Sequence, residues 1–210
     1  MGELKRRAVH ASGTGFPAIY LLGIVTWRQL QELLLLATAG VFVLEFLRLV
    51  VEIEWTPLTG VYDELTREYE ADNVAGYALF MLGATLAALA FAPPYGPDIV
   101  AFEPPLAVAA ILMLSIGDPV SGYLGSNDAT TAKEVGVLAV MFLVCFALAV
   151  PITMLHAGTV VGVVAAVAGA LGATVADGVK PVIRGYVVDD NLTIPPTAGA
   201  AMTAVFLLAA

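Results

Sequence analysis

Charge is scarce in this chain: only 13% of its 210 residues are Asp, Glu, Lys or Arg, against 60% hydrophobic. A soluble domain has about 25% charged and about 45–50% apolar residues, so the balance excludes water as the main solvent of the fold. Cations are scarcer still. Nine Lys and Arg face eighteen acids, for a net charge of −9, and the lysines are Lys5, Lys133 and Lys180. Nucleic-acid binding needs clustered cations to displace counterions from phosphates, which excludes nucleic acid as a partner. The acid-rich, lysine-poor exterior suits loops that stay soluble in concentrated salt. The single cysteine, Cys145, lies in an apolar run, so no internal disulfide forms and the thiol reads as a small core side chain. The N-terminal stretch MGELKRRAVHASGTG lacks a separate apolar segment followed by a cleavage site, and the first helix is expected to stay with the chain.

What the sequence does have is a series of long apolar runs without alternation. In lipid every backbone N–H and C=O must be satisfied internally, so a chain spans as helices or as a closed barrel, and unalternating runs select helices. At about 20 residues per span, spans are expected near 11–27, 30–50, 73–92, 100–117, 135–155, 157–176 and 193–210. The expected fold is all-α: a polytopic integral membrane protein of about seven transmembrane helices, forming one domain over 1–210. The first and fourth spans are short or rich in Gly and Pro, which predicts broken or tilted segments. No internal repeat stands out, which argues against an inverted-repeat transporter. Loops rich in Lys and Arg stay cytoplasmic. With the N-terminus cytoplasmic, Lys5, Arg6, Arg7, Arg48, Arg67, Lys133, Lys180 and Arg184 all fall inside, and Arg28 outside.

The other polar residues sort the same way. The segments RRAVHASGTG, Val51 to Asp72, GDPVSGYLGSNDATTAKEVG and ADGVKPVIRGYVVDDNLTIPP hold nearly all the acids, bases and glycines. In the third, Asp118 is expected to end an apolar helix, with Gly122 and Gly125 in the loop before Lys133. Glycines without Cβ let backbone amides approach phosphate oxygens, and a following helix N-terminus adds a favourable dipole. The spacing is not that of the GxxxxGK(S/T) phosphate loop, and an ordinary inter-helix loop is the plain alternative. In the fourth segment, Asp177, Lys180 and Arg184 follow an apolar helix, and Asp189, Asp190 and Asn191 stand together before Pro195 and Pro196. Adjacent carboxylates and an amide are oxygen ligands suited to Mg²⁺; a solvated acidic turn is the alternative. His10 follows the basic cluster and precedes Gly13 and Gly15, where a histidine is either polar surface or a phosphate contact. Glu45 and Arg48 lie one helical turn apart in EFLRL. Ionisable groups at that depth are candidates for function and cost less as a pair. Glu32 reads as structural, near the outer interface, and DELTREYEADN as a solvated amphipathic stretch.

Taken in order, RRAVHASGTG, EFLR, REYEADNVAGYALFMLGATLA, GDPVSGYLG, KEVG and DDNLTIPP resemble the motifs of the polyprenol kinase family, which includes dolichol kinase and phytol kinase. The pieces recur in the family's order over nearly the whole chain, DDNLTIP being the most specific. Where the family usually carries a longer basic segment after GD, this chain has Ala132, Lys133, Glu134, Val135 and Gly136. The resemblance implies a CTP-dependent lipid kinase that transfers the terminal phosphoryl group to the hydroxyl of a long isoprenoid alcohol. Phosphoryl transfer needs positioning and charge neutralisation rather than covalent catalysis. On that reading Asp118, Asp190 and Asn191 hold Mg²⁺. Lys133, Lys180 and Arg184 neutralise the triphosphate, Gly122 and Gly125 admit it, and Asp118 or His10 accepts the alcohol proton, Asp190 completing the catalytic set. Two other functions use the same inventory: a cytidylyltransferase acting on an isoprenoid lipid phosphate, and a small membrane transporter. The transporter requires charges near the bilayer midplane, and beyond Glu45 the sequence offers essentially none.

Overall fold

The computed structural model describes residues 2–53, 56–66, 70–92, 105–125, 133–179, 181–183 and 186–209. They form helices α1 (Gly2–Ser12), α2 (Gly15–Leu21), α3 (Trp27–Leu49), α4 (Thr56–Leu65), α5 (Gly76–Ala90), α6 (Pro105–Leu112), α7 (Asp118–Leu124), α8 (Val135–Gly178) and α9 (Asp190–Ala209). A two-residue antiparallel ladder pairs β1 (Val182–Ile183) with β2 (Tyr186–Val187); otherwise the described residues are helical or irregular. Four helical segments are long and apolar enough to cross a membrane: Trp27–Leu49, Pro105–Leu124, Val135–Gly178 and Asp190–Ala209. The apolar α5, at 15 residues, spans roughly 22 Å at 1.5 Å per residue, short of the ~30 Å hydrocarbon core. Outward-facing aliphatic side chains such as Leu36, Leu155, Val160 and Leu208 give the bundle the apolar exterior that a lipid-facing helix carries.

Local chemistry sets several of the helix limits. Thr26 caps α3 with a reciprocal box: its Oγ1 accepts from Gln29 N at 3.3 Å while Gln29 Oε1 accepts from Thr26 N at 2.9 Å, as the Thr-x-x-Gln spacing allows. The expected first span, 11–27, is not one helix. The backbone breaks at Gly13–Thr14, and α2 ends within seven residues before Gly23, which takes φ +70°. That left-handed conformation is accessible to glycine without a Cβ penalty.

The expected fifth and sixth spans run on as α8, which is a hairpin. Gly158 takes φ +74° and ψ 177°, so arms 135–157 and 159–178 fold back on one another. At the closed end Thr153 Oγ1 donates to Gly162 O at 2.7 Å, and a Cβ on Gly162 would stand 2.5 Å from Met154 Cα. At the open end Gly178 meets Leu138. The start and finish of α8 therefore lie side by side.

The helix α6 continues into α7 through one π turn, Met113–Gly117. This corrects the expectation that Asp118 ends a helix and opens a glycine loop: Asp118, Ser121 and Gly122 are helical. Pro119 explains the continuation. After a regular α turn its ring would clash with the carbonyl four residues back, and the wider π turn that precedes it relieves that clash. The central segment is deeply enclosed, with Leu106 through Leu114 all buried. It packs against α5, α8 and α9.

Small residues allow that close packing. Gly172 on α8 abuts the Thr197 carbonyl, and Gly169 abuts Met202 on α9, setting α9 antiparallel to the second arm. Gly83 on α5 faces the carbonyl oxygen of Asn191. That carbonyl would ordinarily accept from the residue four positions on, but that residue is Pro195, which has no N–H. A Cβ on Gly83 would overlap this oxygen. Gly83→Ala is therefore expected to cost about 1–3 kcal/mol of overpacking, read as a lower unfolding temperature in detergent. Gly40→Ala, where a Cβ meets nothing, should be neutral or stabilising.

Candidate functional site

One end of the bundle gathers the polar residues, and four connections build it. The α1–α2 corner is sewn to the π turn: His10 Nε2 lies 3.1 Å from Leu114 O, and Thr14 Oγ1 donates to Ser115 Oγ at 3.1 Å. Gly13 lets Phe80 in close, and the Phe80 ring meets His10 edge-on with centroids 4.7 Å apart. The Leu114 carbonyl is available because its donor in a π register, five residues on, is Pro119. A carbonyl only accepts, so His10 carries a proton on Nε2. Its Nδ1 faces Asp118 Oδ2 at 3.5 Å.

Asp118, on the first turn of α7, meets two further acids. One carboxylate oxygen each from Asp118, Asp177 and Asp190 lies within 4.8 Å of the others. Asp177 is fully buried and Asp190 nearly so. The hairpin of α8 brings Lys133, just before its first arm, onto Asp177 at the end of its second. Lys133 Nζ donates to Asp177 Oδ1 and to Ser121 Oγ at 3.0 Å; Ser121 Oγ donates to Asp177 Oδ2 at 2.6 Å. Asp118 Oδ1 stands 4.0 Å from the same ammonium. Both oxygens of Asp177 are thus engaged by the lysine and its serine neighbour.

Asp189, Asp190 and Asn191 open α9. Asn191 donates to Asp189 Oδ1 through its backbone N at 2.9 Å and through Nδ2 at 2.6 Å, which orients the amide. Its Oδ1 is buried and has no hydrogen-bond partner among the described residues. A buried amide oxygen left unmatched is costly unless something else binds it.

A second polar knot lies beside the first. Glu45 is buried at the end of α3 and Arg48 half-buried beside it, paired with Arg48 Nη2 donating to Glu45 Oε2 at 2.7 Å. Glu45 also accepts from Ala75 N at 2.9 Å and from the Tyr77 hydroxyl. Arg48 donates to the carbonyls of Glu70, Ala71 and Asn73 at 2.5 to 3.1 Å. The stretch expected to be solvated is therefore pinned at its end, and Glu70 is buried.

Of the residues singled out from sequence, His10, Asp118, Lys133 and Asp190 come together, and Asn191 adjoins them. Gly122 lies one turn past Asp118 with open space where a Cβ would point. Gly125 backs onto Ser121 O and Val137. Lys180 and Arg184 lie outside the described residues. Cys145 is buried in the core beside Met141 and Gly117. Asp177 had no assigned role in the sequence reading. Its signal was nevertheless present, as the one acidic residue in the whole apolar length of α8. Burying such a group without partners is prohibitive, so it had to meet a cation.

The chain matches no protein-family model, no curated protein and no solved structure.

The donor set fits a hard divalent cation. Mg²⁺ takes oxygen ligands at about 2.0–2.1 Å in an octahedron and bridges carboxylates to phosphates. Asp118 and Asp190 offer carboxylate oxygens from different helices, and the unmatched Asn191 oxygen is one residue from Asp190. Of the three clustered acids, Asp177 is the one that Lys133 engages directly.

Proposed function

We propose that the chain is a CTP-dependent lipid kinase, phosphorylating a long-chain isoprenoid alcohol of the dolichol, polyprenol or phytol type at the cytoplasmic face of the cell membrane. The observation that carries this reading is the convergence of His10, Asp118, Lys133, Asp177 and Asp190 at one end of an apolar helical bundle. A soluble triphosphate and a membrane-embedded hydroxyl share only that boundary. The bilayer is crossed about seven times: the residues between His10 and Trp27 make the first passage, and the α8 arms count separately. Arg7, Arg48 and Lys133 lie at the site end and Arg28 at the other, which supports a cytoplasmic site and N-terminus.

In this reading Asp118, Asp190 and Asn191 would hold Mg²⁺, which would supply positive charge to neutralise the triphosphate. Asp177 and Ser121 aim Lys133 toward the phosphates; Lys180 and Arg184 supply further positive charge. The open face at Gly122, one turn from Asp118, leaves room for the transferring group. His10, with Nε2–H held by Leu114 O, presents Nδ1 toward Asp118, and this pair takes the alcohol proton as the hydroxyl oxygen attacks the γ-phosphorus and CDP leaves.

The test is membranes given CTP labelled at the γ-phosphate, with dolichol, phytol and geranylgeraniol offered in parallel. Label recovered in the lipid is the expected result. Label released as pyrophosphate when the matching lipid phosphates are offered would replace the kinase with cytidylyl transfer, and intact CTP with every alcohol and every lipid phosphate would reject both.

A further inference from the structure

Asn191 is held from three sides, and one of those sides is the knot around Arg48. Gly83 admits its carbonyl, and Asp189 orients its amide. Gly76, the first residue of α5, provides the third. A Cβ there would stand 3.1 Å from Asn191 Nδ2 and 3.3 Å from Glu70 Oε1, so the amide and the buried carboxylate flank the same missing side chain. Glu70 reaches that point because its own carbonyl, with those of Ala71 and Asn73, is gripped by the Arg48 fork. Arg48 is in turn fixed by Glu45, which also accepts from Ala75 N, immediately before Gly76. One guanidinium and one carboxylate on α3 thereby tie the 70–76 segment to the start of α9.

We propose that Glu70, set in place by the Glu45–Arg48 pair, is a positioning residue for Asn191 and through it for the cation site at Asp190. Asp189 takes one N–H of the Asn191 amide, and a carboxylate across Gly76 favours the orientation that turns Nδ2 toward it and Oδ1 away. A planar bidentate fork is needed for the grip, because an ammonium cannot hold a carboxylate and several carbonyls in one plane. The inference rests on the cation site of the kinase reading and adds the device that shapes it. It gives the pair on α3 a use other than stability, which buried ion pairs supply poorly.

The experiment is Mn²⁺ titration of the purified full-length protein in detergent micelles, followed by electron paramagnetic resonance, which needs no turnover. The wild type is expected to bind Mn²⁺, and Glu70→Gln, which keeps the shape and removes the charge, to bind about tenfold or more weakly, the scale of a lost outer-shell partner. Arg48→Lys should match it, whereas Glu32→Gln, which breaks an exposed pair with Arg28 at the opposite end, should bind as wild type. Should Glu70→Gln not fold, as judged by gel filtration and helical circular dichroism, Gly76→Ala makes the same test by wedging a methyl between Asn191 and Glu70. Wild-type affinity in a folded Glu70→Gln or Gly76→Ala variant overturns the positioning role and leaves the site reading intact. Absence of Mn²⁺ binding by the wild type, with CTP present or not, overturns both.

Discussion

Asp118→Asn is expected to abolish lipid phosphorylation while leaving the protein inserted and folded. The substitution changes one atom's chemistry and almost no volume, and Asp118 joins more of the proposed machinery than any other residue. It faces His10 Nδ1 at 3.5 Å and the Lys133 ammonium at 4.0 Å, and it contributes an oxygen to the three-acid cluster. Loss of a single group that stabilises transition-state charge in a preorganised site costs about 10²- to 10³-fold in rate. Removing a cation ligand and the partner of the proton-accepting histidine together should take transfer to background. The measurement is transfer of γ-label from CTP to the alcohol in membranes with matched protein content. Asp72→Asn, on the exposed part of the 70–73 segment, serves as control and should retain the wild-type rate. A rate within a few-fold of wild type in Asp118→Asn would remove Asp118 from the chemistry.

The second large effect is on stability. Asp177→Ala leaves the Lys133 ammonium, only 8% exposed, with Ser121 and a more distant Asp118 as its remaining acceptors. Breaking a buried pair from one side costs about 3–5 kcal/mol, because the surviving charge has lost both water and partner. The unfolding temperature in detergent should fall sharply. Replacing both partners by apolar groups of similar volume, Lys133→Met with Asp177→Leu, should recover most of that loss, since no orphan charge remains. The double variant should still fail to transfer phosphate, because the cation meant for the triphosphate is gone. If Asp177→Ala unfolds at the wild-type temperature, the pair holds nothing together. If the double variant turns over, Lys133 has no place in the reaction.

The site was partly legible in the sequence. His10, Asp118, Lys133 and Asp190 stood out because charged and imidazole groups are rare in so apolar a chain and fall beside span ends of one parity. Asp177 was visible beside Lys180 and Arg184 but had no partner that spacing alone could identify. Its lysine lies 44 positions away, across a hairpin whose turn depends on one left-handed glycine. Glu70 reads as solvated because DELTREYEADN is as polar as any surface loop, yet it is buried. Nothing local in it announces that Arg48, 22 positions earlier, holds its carbonyl. The helical continuation through Asp118 was hidden for a related reason. Gly117 and Pro119 usually mark a helix end, and here a π turn accommodates both.

By itself, the sequence determined that the chain is helical, with helices long and apolar enough to cross a membrane, because long unalternating apolar runs satisfy their backbone without water only as helices. It also determined which segments carry the polar chemistry, since the acids, bases and glycines fall between the apolar runs. Only the tertiary structure decided which of those residues touch. Among apolar helices no difference in solvation distinguishes one neighbour from another. Register is set instead by where Gly76, Gly83, Gly169 and Gly172 allow close approach and by the buried charges that must find each other.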